Sequence, residues 1–179
     1  TIPYKSEVMA FCDELDQIAE KTGSVNTVIK RDGKYIGFNT DYYGFQFLLM
    51  SNGISVCNKN IVILGGGGAS KTVQAVLKSQ SAGKITVVSR SGKDNYDNLS
   101  DHYDADIVIN TTPVGMYPDN ESRLIDVSNF KKCTAVIDLI YNPLYTSLLL
   151  DTQACGAKYI NGLSMLIAQA KKSAELFTN

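Results

Sequence analysis

The chain has 179 residues, of which 44% are hydrophobic and 20% are charged, and its formal net charge is −1. This length indicates one or two small domains, and the composition is typical of a soluble globular protein with a sizeable core. Lysine and arginine form no cluster, so we expect no nucleic-acid partner. No apolar run reaches the length of a membrane span, so we expect no membrane partner.

The cysteines and the single histidine do not suggest a metal site. Cys12, Cys57, Cys133 and Cys155 are widely scattered and form no CxxC motif. We interpret them as isolated buried thiols in a reducing cytoplasm, which predicts a cytoplasmic location. His102 lies in a polar stretch, and we expect a solvated loop or helix-end residue rather than a catalytic base. Acid/base chemistry is therefore left to Lys, Asp or Tyr side chains.

The first fifty residues predict a helix, a hairpin and a second helix. Apolar residues in 5–18 recur at spacings of three and four, which predicts an amphipathic helix. Apolar runs at 25–30 and 35–38 predict two strands around a tight turn at Asp32-Gly33. We expect Thr40 to cap a helix over 41–51, which Asn52-Gly53 ends.

From about Asn60 the pattern predicts a Rossmann-type domain. Continuous apolar runs without alternation are expected for parallel strands covered on both faces, and they occur at 61–64, 85–88, 107–109 and 135–137. With a helix over 69–79 after the first run, they predict right-handed βαβ units in a doubly wound parallel sheet of the α/β class. A last helix is expected over 162–177, with Leu163, Leu166, Ile167 and Ala170 facing inward.

A glycine run lies between the first of these strands and its helix, in the order Gly65, Gly66, Gly67, Gly68, Ala69, Ser70. Without side chains the backbone can turn sharply and approach a pyrophosphate, and the helix offers free N–H groups and its positive dipole end. A glycine run alone is often only a flexible turn, but this position predicts dinucleotide binding. Ser70 replaces the third glycine of GxGxxG, so the motif is a variant.

The residue after the next strand predicts the choice of cofactor. This strand ends in Ser89-Arg90-Ser91, with Lys93 close behind. An NAD-binding domain usually has an acidic side chain here, which accepts a hydrogen bond from the ribose 2′-hydroxyl. Arg90 cannot accept, but it can donate two hydrogen bonds to a 2′-phosphate, and Ser91 and Lys93 add donors. We therefore predict NADP, although a plain surface arginine is the alternative.

Several further motifs surround the glycine loop in a defined order: TIPYK at 1–5, GSVNT at 23–27, GFNTD at 37–41, NTTPVGM at 110–116, DLIYNP at 138–143 and GLSMLIAQ at 162–169. Taken singly, Lys5 reads as a solvated lysine, Asn26 as a turn residue, Asp41 as a helix cap and Gln169 as a surface residue. Together they resemble the shikimate dehydrogenase family over essentially the whole chain.

The resemblance implies an NADPH-dependent, reversible reduction of 3-dehydroshikimate to shikimate, a step in aromatic amino-acid biosynthesis. It implies that Lys5 is the general acid/base and that Asp41 lies beside it. The implied contacts to the small-molecule substrate are Thr1, Asn26, Asp41, Tyr141 and Gln169. The implied cofactor-lining residues are Gly65, Gly66, Gly67, Gly68, Ala69, Ser89, Arg90, Ser91, Leu139 and Gly162. A lysine ammonium can stabilise the alkoxide formed at the reduced carbon and protonate it, while Asp41 orients the lysine and binds a substrate hydroxyl.

The resemblance also implies a division of the chain. Residues 1–52 would be the remainder of a smaller α/β substrate domain, 53–161 the Rossmann domain, and 162–179 a helix packing back toward the substrate domain. Residues 1–3 read like the end of a strand that begins earlier, and the family's serine-bearing carboxylate loop is not in this sequence. We therefore expect a fragment that binds NADP but has little dehydrogenase activity alone, as a monomer or a homodimer.

Two alternatives remain at this point. One is a quinate/shikimate dehydrogenase that uses NAD, against which Arg90 argues. The other is a non-catalytic dinucleotide-binding module in which Lys5 and Asp41 are only structural. One departure from the family is Tyr42-Tyr43-Gly44 after Asp41, because the family often has a glycine immediately after this aspartate. We expect the tyrosine to crowd the helix start without removing function.

Overall fold

The computed structural model describes residues 4–178. Thr1, Ile2, Pro3 and Asn179 lie outside the described residues, and so do the predicted strand end at 1–3 and the predicted substrate contact of Thr1. Among residues 4–178 the strands form a small three-stranded sheet and a five-stranded parallel sheet, with helices packed against them. The α/β class and the Rossmann-type sheet are confirmed.

The predicted helix over residues 5–18 is wrong. The segment forms three short elements instead, a 3-10 helix (Glu7–Phe11), strand β1 (Glu14–Leu15) and the start of helix α1 (Gln17–Thr22). Two aspartates divide it. Asp13 exchanges hydrogen bonds with the backbone of Tyr35, its N–H donating at 2.8 Å and its Oδ2 accepting at 2.7 Å. Asp16 caps α1, because its Oδ1 accepts the N–H of Ala19 at 2.8 Å. Such local bonds compete with a continuous helix.

The predicted hairpin is confirmed. Strands β2 (Thr27–Arg31) and β3 (Lys34–Phe38) pair antiparallel, and β1 pairs with β3 in parallel. Asp32 has φ 51° and Gly33 has φ 82°, which are the two positive values that a two-residue hairpin loop of this twist requires. The carboxyl end of β3 leads directly into the next helix.

Helix α2 (Thr40–Ser51) begins one residue earlier than predicted, and Thr40 is not its cap. Asn39 occupies the N-cap position, but its side chain makes no cap bond and turns to other partners described below. Thr40 is instead the first helical residue and is fully buried. The predicted end is confirmed, because Asn52 is the C-cap and Gly53 has φ 61°.

The large sheet has strand order β5-β4-β6-β7-β8 and every neighbouring pair is parallel. The strands are β4 (Ile61–Leu64), β5 (Ile85–Val88), β6 (Ile107–Asn110), β7 (Ala135–Asp138) and β8 (Lys158–Ile160), and helix α3 (Gly68–Ser79) follows β4. All four predicted strands are confirmed. The short edge strand β8 and helix α4 (Ser147–Ala154) were not predicted, because neither has a clear apolar period.

The last helix, α5 (Leu163–Thr178), is present as predicted, but its inward face is not the predicted one. Leu163, Ile167 and Ala170 are exposed, Leu166 is half-buried, and Met165 is the buried residue. The reason is that α5 packs closely on α2, and its face toward that helix includes the polar side chains of Gln169 and Ser173. The apolar stripe therefore did not mark the packed face.

The cysteines and His102 also depart from expectation. Cys57 and Cys155 are exposed and Cys12 and Cys133 are half-buried, so the thiols are free but not buried as predicted. His102 ends a 3-10 helix (Leu99–His102), as the helix-end prediction had it, but it is buried rather than solvated. Within residues 4–178, no helix could cross a membrane and no group of His, Cys, Asp or Glu could hold a metal ion.

The crossing of α2 and α5 yields a prediction at Gly44. A methyl group there would lie 2.7 Å from the backbone carbonyl oxygen of Met165, closer than van der Waals contact allows. Alanine favours a helix by about 1 kcal/mol over glycine, but the clash can be relieved only by moving one helix. We expect Gly44→Ala to lower the free energy of unfolding by about 1–3 kcal/mol in denaturant titration. Met50→Ala, at an exposed position of the same helix, is the control and should change it little. A more stable Gly44→Ala protein would contradict the tight crossing.

Candidate functional site

The glycine loop packs on neighbouring strand ends at Gly65 and Gly66 and has open space at Gly67. Gly65 has φ 104°, and a methyl group on it would lie 2.8 Å from Oγ1 of Thr111 and 2.9 Å from the methyl of Thr112, at the end of β6. A methyl group on Gly66 would lie 3.4 Å from Cβ of Ser89, directly after β5. A methyl group on Gly67 would meet nothing within 4 Å. The loop thus lies flat on the ends of its neighbouring strands and leaves one side free for a ligand.

Helix α3 begins at Gly68 and presents its amino end to this loop. Its N-cap residue is Gly67, which has no side chain that could accept the first-turn N–H groups. Those donors, together with the positive end of the helix dipole, suit a phosphate or pyrophosphate. The residues therefore fit the phosphates of a dinucleotide.

A second loop follows β5 and carries the predicted cofactor-selecting residues. The N–H of Ser89 donates to the carbonyl of Asp94 at 3.1 Å, and the N–H of Gly92 donates to the carbonyl of Ser89 at 3.3 Å. The loop is therefore closed, with Arg90, Ser91 and Lys93 exposed on it. Burial raises the pKa of Tyr96, and the charge of the nearby Arg90 partly offsets that rise.

Lys5 and Asp41 form an ion pair that is largely withdrawn from solvent. Lys5 Nζ donates to Asp41 Oδ2, and the two side chains are 16% and 12% exposed. The carbonyl of Lys5 is held by the N–H of Val25 at 2.7 Å, and Asp41 lies in the first turn of α2. Two distant segments of the chain therefore bring the predicted acid/base residues together.

The stem of Lys5 lies beside the start of the glycine-loop helix. A methyl group on Gly68 would be 3.8 Å from both Cβ and Cδ of Lys5 and 3.6 Å from Oγ of Ser24, which is ordinary contact distance. The Lys5 side chain is therefore next to the amino end of the helix that would bind the phosphates. The sequence alone predicted both features, but not their contact.

Asn26 and Gln169 meet through Thr40. Asn26 Oδ1 accepts the N–H of Thr40 at 2.9 Å and its hydroxyl at 3.1 Å. Gln169 Oε1 lies 3.4 Å from the same hydroxyl, and Gln169 Nε2 donates to the carbonyl of Leu166 in its own helix. A cavity of about 180 Å³ opens beside Asn26 and is also lined by Tyr4, Val8, Val25 and Val28. The predicted substrate residues Asn26, Asp41 and Gln169 thus surround the start of α2.

The remaining predicted residues follow strand β7. Leu139 is half-buried, Tyr141 is 47% exposed, and Gly162 packs directly on the backbone of Leu139. A methyl group on Gly162 would overlap the Leu139 carbonyl, so glycine is required here by chain packing, whatever it binds. Tyr141 and Leu139 are therefore at the same edge of the sheet as the glycine loop.

A buried polar network below this edge was not predicted. Asp138, at the end of β7, is fully buried and accepts from Asn110 Nδ2 at 3.0 Å, the N–H of Ile140 at 3.1 Å and the hydroxyl of Thr146 at 2.7 Å. Burial raises the pKa of Asp138 to about 6, although the three hydrogen bonds act in the opposite direction. Asn110 and Asp138 belong to the NTTPVGM and DLIYNP motifs of the sequence. Nothing in those motifs predicted that the two side chains are hydrogen-bonded to each other.

Asn39 is the second residue that sequence reasoning missed. Its Nδ2 donates to Oγ1 of Thr22 in α1 at 2.9 Å and to Oγ1 of Thr72 in α3 at 3.0 Å, and Asn39 itself is 1% exposed. It lies two residues before Asp41. It therefore joins the segment that carries the ion pair to the helix that begins at the glycine loop.

Known proteins match this arrangement over the whole chain. A family model described as the shikimate dehydrogenase substrate binding domain matches residues 1–28. The chain is 41% identical to "Shikimate dehydrogenase (NADP(+))" of Methanococcus maripaludis over 198 aligned residues, covering 99% of this chain and 70% of that protein. The chain belongs to the shikimate dehydrogenase family.

Solved structures agree. The crystal structure of a chorismate mutase/shikimate 5-dehydrogenase fusion protein from Clostridium acetobutylicum superposes with a TM-score of 0.92 at 39% identity, over 98% of this chain and 68% of that one. Shikimate 5-dehydrogenase from Thermus thermophilus, solved in complex with NADP(H) and shikimate, gives 0.88 at 30% identity over 98% and 70%. The family fold therefore extends over the glycine loop, the ion pair and the end of β7.

The buried carboxyl of Asp138 yields a pH prediction. Its folded pKa of about 6 lies above its ordinary value of 3.8, so the folded state binds the proton more tightly than the unfolded state does. The carboxyl therefore favours folding most below pH 4, and this contribution is lost as the pH rises to 6. At about 1.4 kcal/mol per pKa unit, the loss amounts to about 3 kcal/mol.

Asp138→Asn cannot titrate and should lack this loss. We expect the unfolding free energy of the wild type, relative to the variant, to fall between pH 4 and pH 7 in urea titrations. Asp126→Asn is the control, since hydrogen bonds from Ser128 lower the pKa of Asp126 and its effect on stability therefore falls mainly below pH 4. Its difference from the wild type should change little between pH 4 and pH 7. A wild-type to Asp138→Asn difference that is constant over this range would show that Asp138 titrates normally.

Proposed function

We propose that this protein is an NADP-dependent oxidoreductase that reversibly reduces 3-dehydroshikimate to shikimate, in the pathway to chorismate and the aromatic amino acids. The observation that carries the proposal is the position of Lys5, which pairs with Asp41 and whose stem would be 3.8 Å from a methyl group on Gly68, at the start of the glycine-loop helix. A shielded acid/base pair beside a dinucleotide loop is what the reduction of a ketone requires. Relatives named as NADP-dependent shikimate dehydrogenases support it.

The cofactor would be bound at three places. Gly65, Gly66, Gly67, Gly68 and Ala69 would receive the pyrophosphate, Ser89, Arg90 and Ser91 the adenosine 2′-phosphate, and Leu139 and Gly162 the other end. When bound, the nicotinamide supplies or accepts the hydride. The three places follow β4, β5 and β7 at the same edge of the sheet, as expected for a ligand of a doubly wound fold, and Gly162, which follows β8, packs there on Leu139.

Lys5 is the proposed general acid and base of the reaction. Reduction of the ketone places negative charge on its oxygen, and the Lys5 ammonium stabilises that charge and donates a proton to it; oxidation reverses the transfer. Asp41 holds Lys5 Nζ in position and offers its other carboxylate oxygen to a substrate hydroxyl. Shielding of the pair from water strengthens both interactions.

The polar groups around the start of α2 would recognise the substrate. Asn26 uses Oδ1 to hold Thr40, so its Nδ2 is the group left to donate to the substrate. Gln169 bonds Leu166 with one amide hydrogen and keeps a second. Tyr141 is exposed at the facing sheet edge, and Thr1 completes the proposed set. A polyol ring needs several such fixed donors and acceptors.

We also propose the division of the chain into residues 1–52, 53–161 and 162–179. The two separate sheets support the first boundary, and the close packing of α5 on α2 supports the last. Free cysteine thiols support a cytoplasmic location. The assembly would be a monomer or a homodimer.

Substitution of Lys5 tests the activity. The full-length wild-type protein should reduce NADP+ with shikimate, seen as absorbance of the reduced nicotinamide. Lys5→Ala should lower kcat by about a hundredfold or more with little change in KM, because the lysine acts on charge that develops in the transition state. Lys34→Ala is the matched control, since Lys34 forms an exposed ion pair with Glu14. If KM rises and kcat survives, Lys5 is a binding residue, and no turnover by the wild type would refute the proposed reaction.

Substitution of Arg90 tests the cofactor. Arg90→Ala should weaken NADP+ binding by about tenfold to a hundredfold, because a hydrogen bond to a charged group contributes about 1.5–3 kcal/mol. NAD+ binding, which involves no 2′-phosphate, should change much less. Isothermal titration with both cofactors measures this, and Arg123→Ala, at an exposed arginine paired with Asp151, is the control. Equal losses for both cofactors would refute the assignment of Arg90 to the 2′-phosphate.

A further inference from the structure

A carboxylate lies within the loop that is proposed to bind the 2′-phosphate. Asp94 is four residues after Arg90, and its carbonyl accepts the N–H of Ser89, so the backbones of Asp94 and Ser89 are adjacent. Its side chain is 35% exposed. A carboxylate at this place repels a phosphate but accepts a hydrogen bond from a ribose 2′-hydroxyl, which is the group that NAD carries. Left free, Asp94 would oppose the preference that Arg90 creates.

His102 holds this carboxylate. Its Nε2 lies 2.9 Å from Asp94 Oδ1, and its side chain is 10% exposed in the 3-10 helix Leu99–His102. Its Nδ1 is buried and has no hydrogen-bond partner within the described part of the chain. A ring with its hydrogen on Nε2 leaves only an unused acceptor at Nδ1, so the hydrogen-bond network assigns that tautomer. His102 thus donates to Asp94 from a fixed, buried position.

The loop backbone has other supports. Asn98 Nδ2 donates to the carbonyl of Lys93 at 3.1 Å, and Asn98 Oδ1 accepts the N–H of Asn95 at 2.7 Å. Together with the bond from Ser89 to Asp94, these contacts close the loop without His102. Loss of His102 therefore frees the Asp94 side chain more than it opens the loop.

We propose that His102 is a positioning residue for cofactor selectivity, which turns the Asp94 carboxylate away from the 2′-phosphate. The inference rests on the proposed NADP site at Arg90 and deepens it. It gives the chain's single histidine a role at the adenosine end of the cofactor, away from proton transfer. It also makes the selectivity of this loop a balance between the cation of Arg90 and the restrained anion of Asp94.

The experiment compares Kd for NADP+ and NAD+ by isothermal titration in the full-length protein. His102→Ala should lower the preference for NADP+ about fivefold or more, by weakening NADP+ and leaving NAD+ equal or tighter. His102→Gln keeps a donor in the place of Nε2 and should retain the wild-type preference. The double variant His102→Ala/Asp94→Asn should regain most of the preference, because the freed group is no longer charged. His102→Phe fills the buried space without a donor and repeats the test if the alanine variant does not fold.

Each outcome decides the inference. Unchanged preference in the donor-less variants, equal weakening of both cofactors, or no recovery in the double variant would overturn it. Asp101→Asn, an exposed carboxylate on the same 3-10 helix, is the control for charge alone. Arg90→Ala separates the two proposals: if it abolishes the preference while His102→Ala does not, only the role of His102 fails. If Arg90→Ala itself has no selective effect, the proposed phosphate site fails.

Discussion

The approach of Lys5 to Gly68 is the contact on which the site depends. Lys5 belongs to the segment beside the small sheet, whereas Gly68 begins the helix after the first strand of the Rossmann sheet. The lysine stem lies beside this helix, because a methyl group on Gly68 would be 3.8 Å from Cβ and Cδ of Lys5. Asn39 reinforces the join, since one buried amide binds α1 and α3 together two residues before Asp41. The glycine loop and the Lys5–Asp41 ion pair are therefore held in one packed arrangement.

Glycine permits close packing at two places where separate elements of the chain meet. Gly44 lets α5 cross α2, which carries Gln169 to Thr40 and Asn26, and Gly162 lets the start of α5 rest on the backbone after β7. Below that edge, Asp138 joins the ends of β6 and β7 to the cap of α4. The buried charge has a cost, as its raised pKa indicates. In return the strand ends below Leu139 and Tyr141 are held by hydrogen bonds.

The large sheet could be predicted from the sequence because its three central strands, β4, β6 and β7, are buried at every position and therefore appear as continuous apolar runs. Residues 5–18 could not, since Asp13 and Asp16 bond to backbone groups that only the fold brings near. The packed face of α5 was predicted wrongly for a related reason. The face that packs on α2 includes Gln169 and Ser173, which contact the hydroxyl of Thr40. Of the site, the position of the glycine run between a strand and a helix predicted the glycine loop, and the order of the motifs predicted Lys5 and Asp41. Asn39, Asp138 and His102 were missed because their significance lies in partners far along the chain or in a loop without periodic pattern.

The order of strands explains why the predicted groups can serve a single extended ligand. Arg90 follows β5, the glycine loop follows β4, Thr111 and Thr112 follow β6, and Leu139 follows β7, in the spatial order β5-β4-β6-β7. The carboxyl ends of parallel strands share one edge, and neighbouring strands are about 4.8 Å apart. Along this edge, from β5 to β7, lie in turn a cation, free helix N–H groups, small polar residues and an apolar side chain. A dinucleotide with an extra phosphate at one end and a flat reactive ring without phosphate at the other has this same order of chemistry. The reverse orientation would place its phosphate among the apolar contacts.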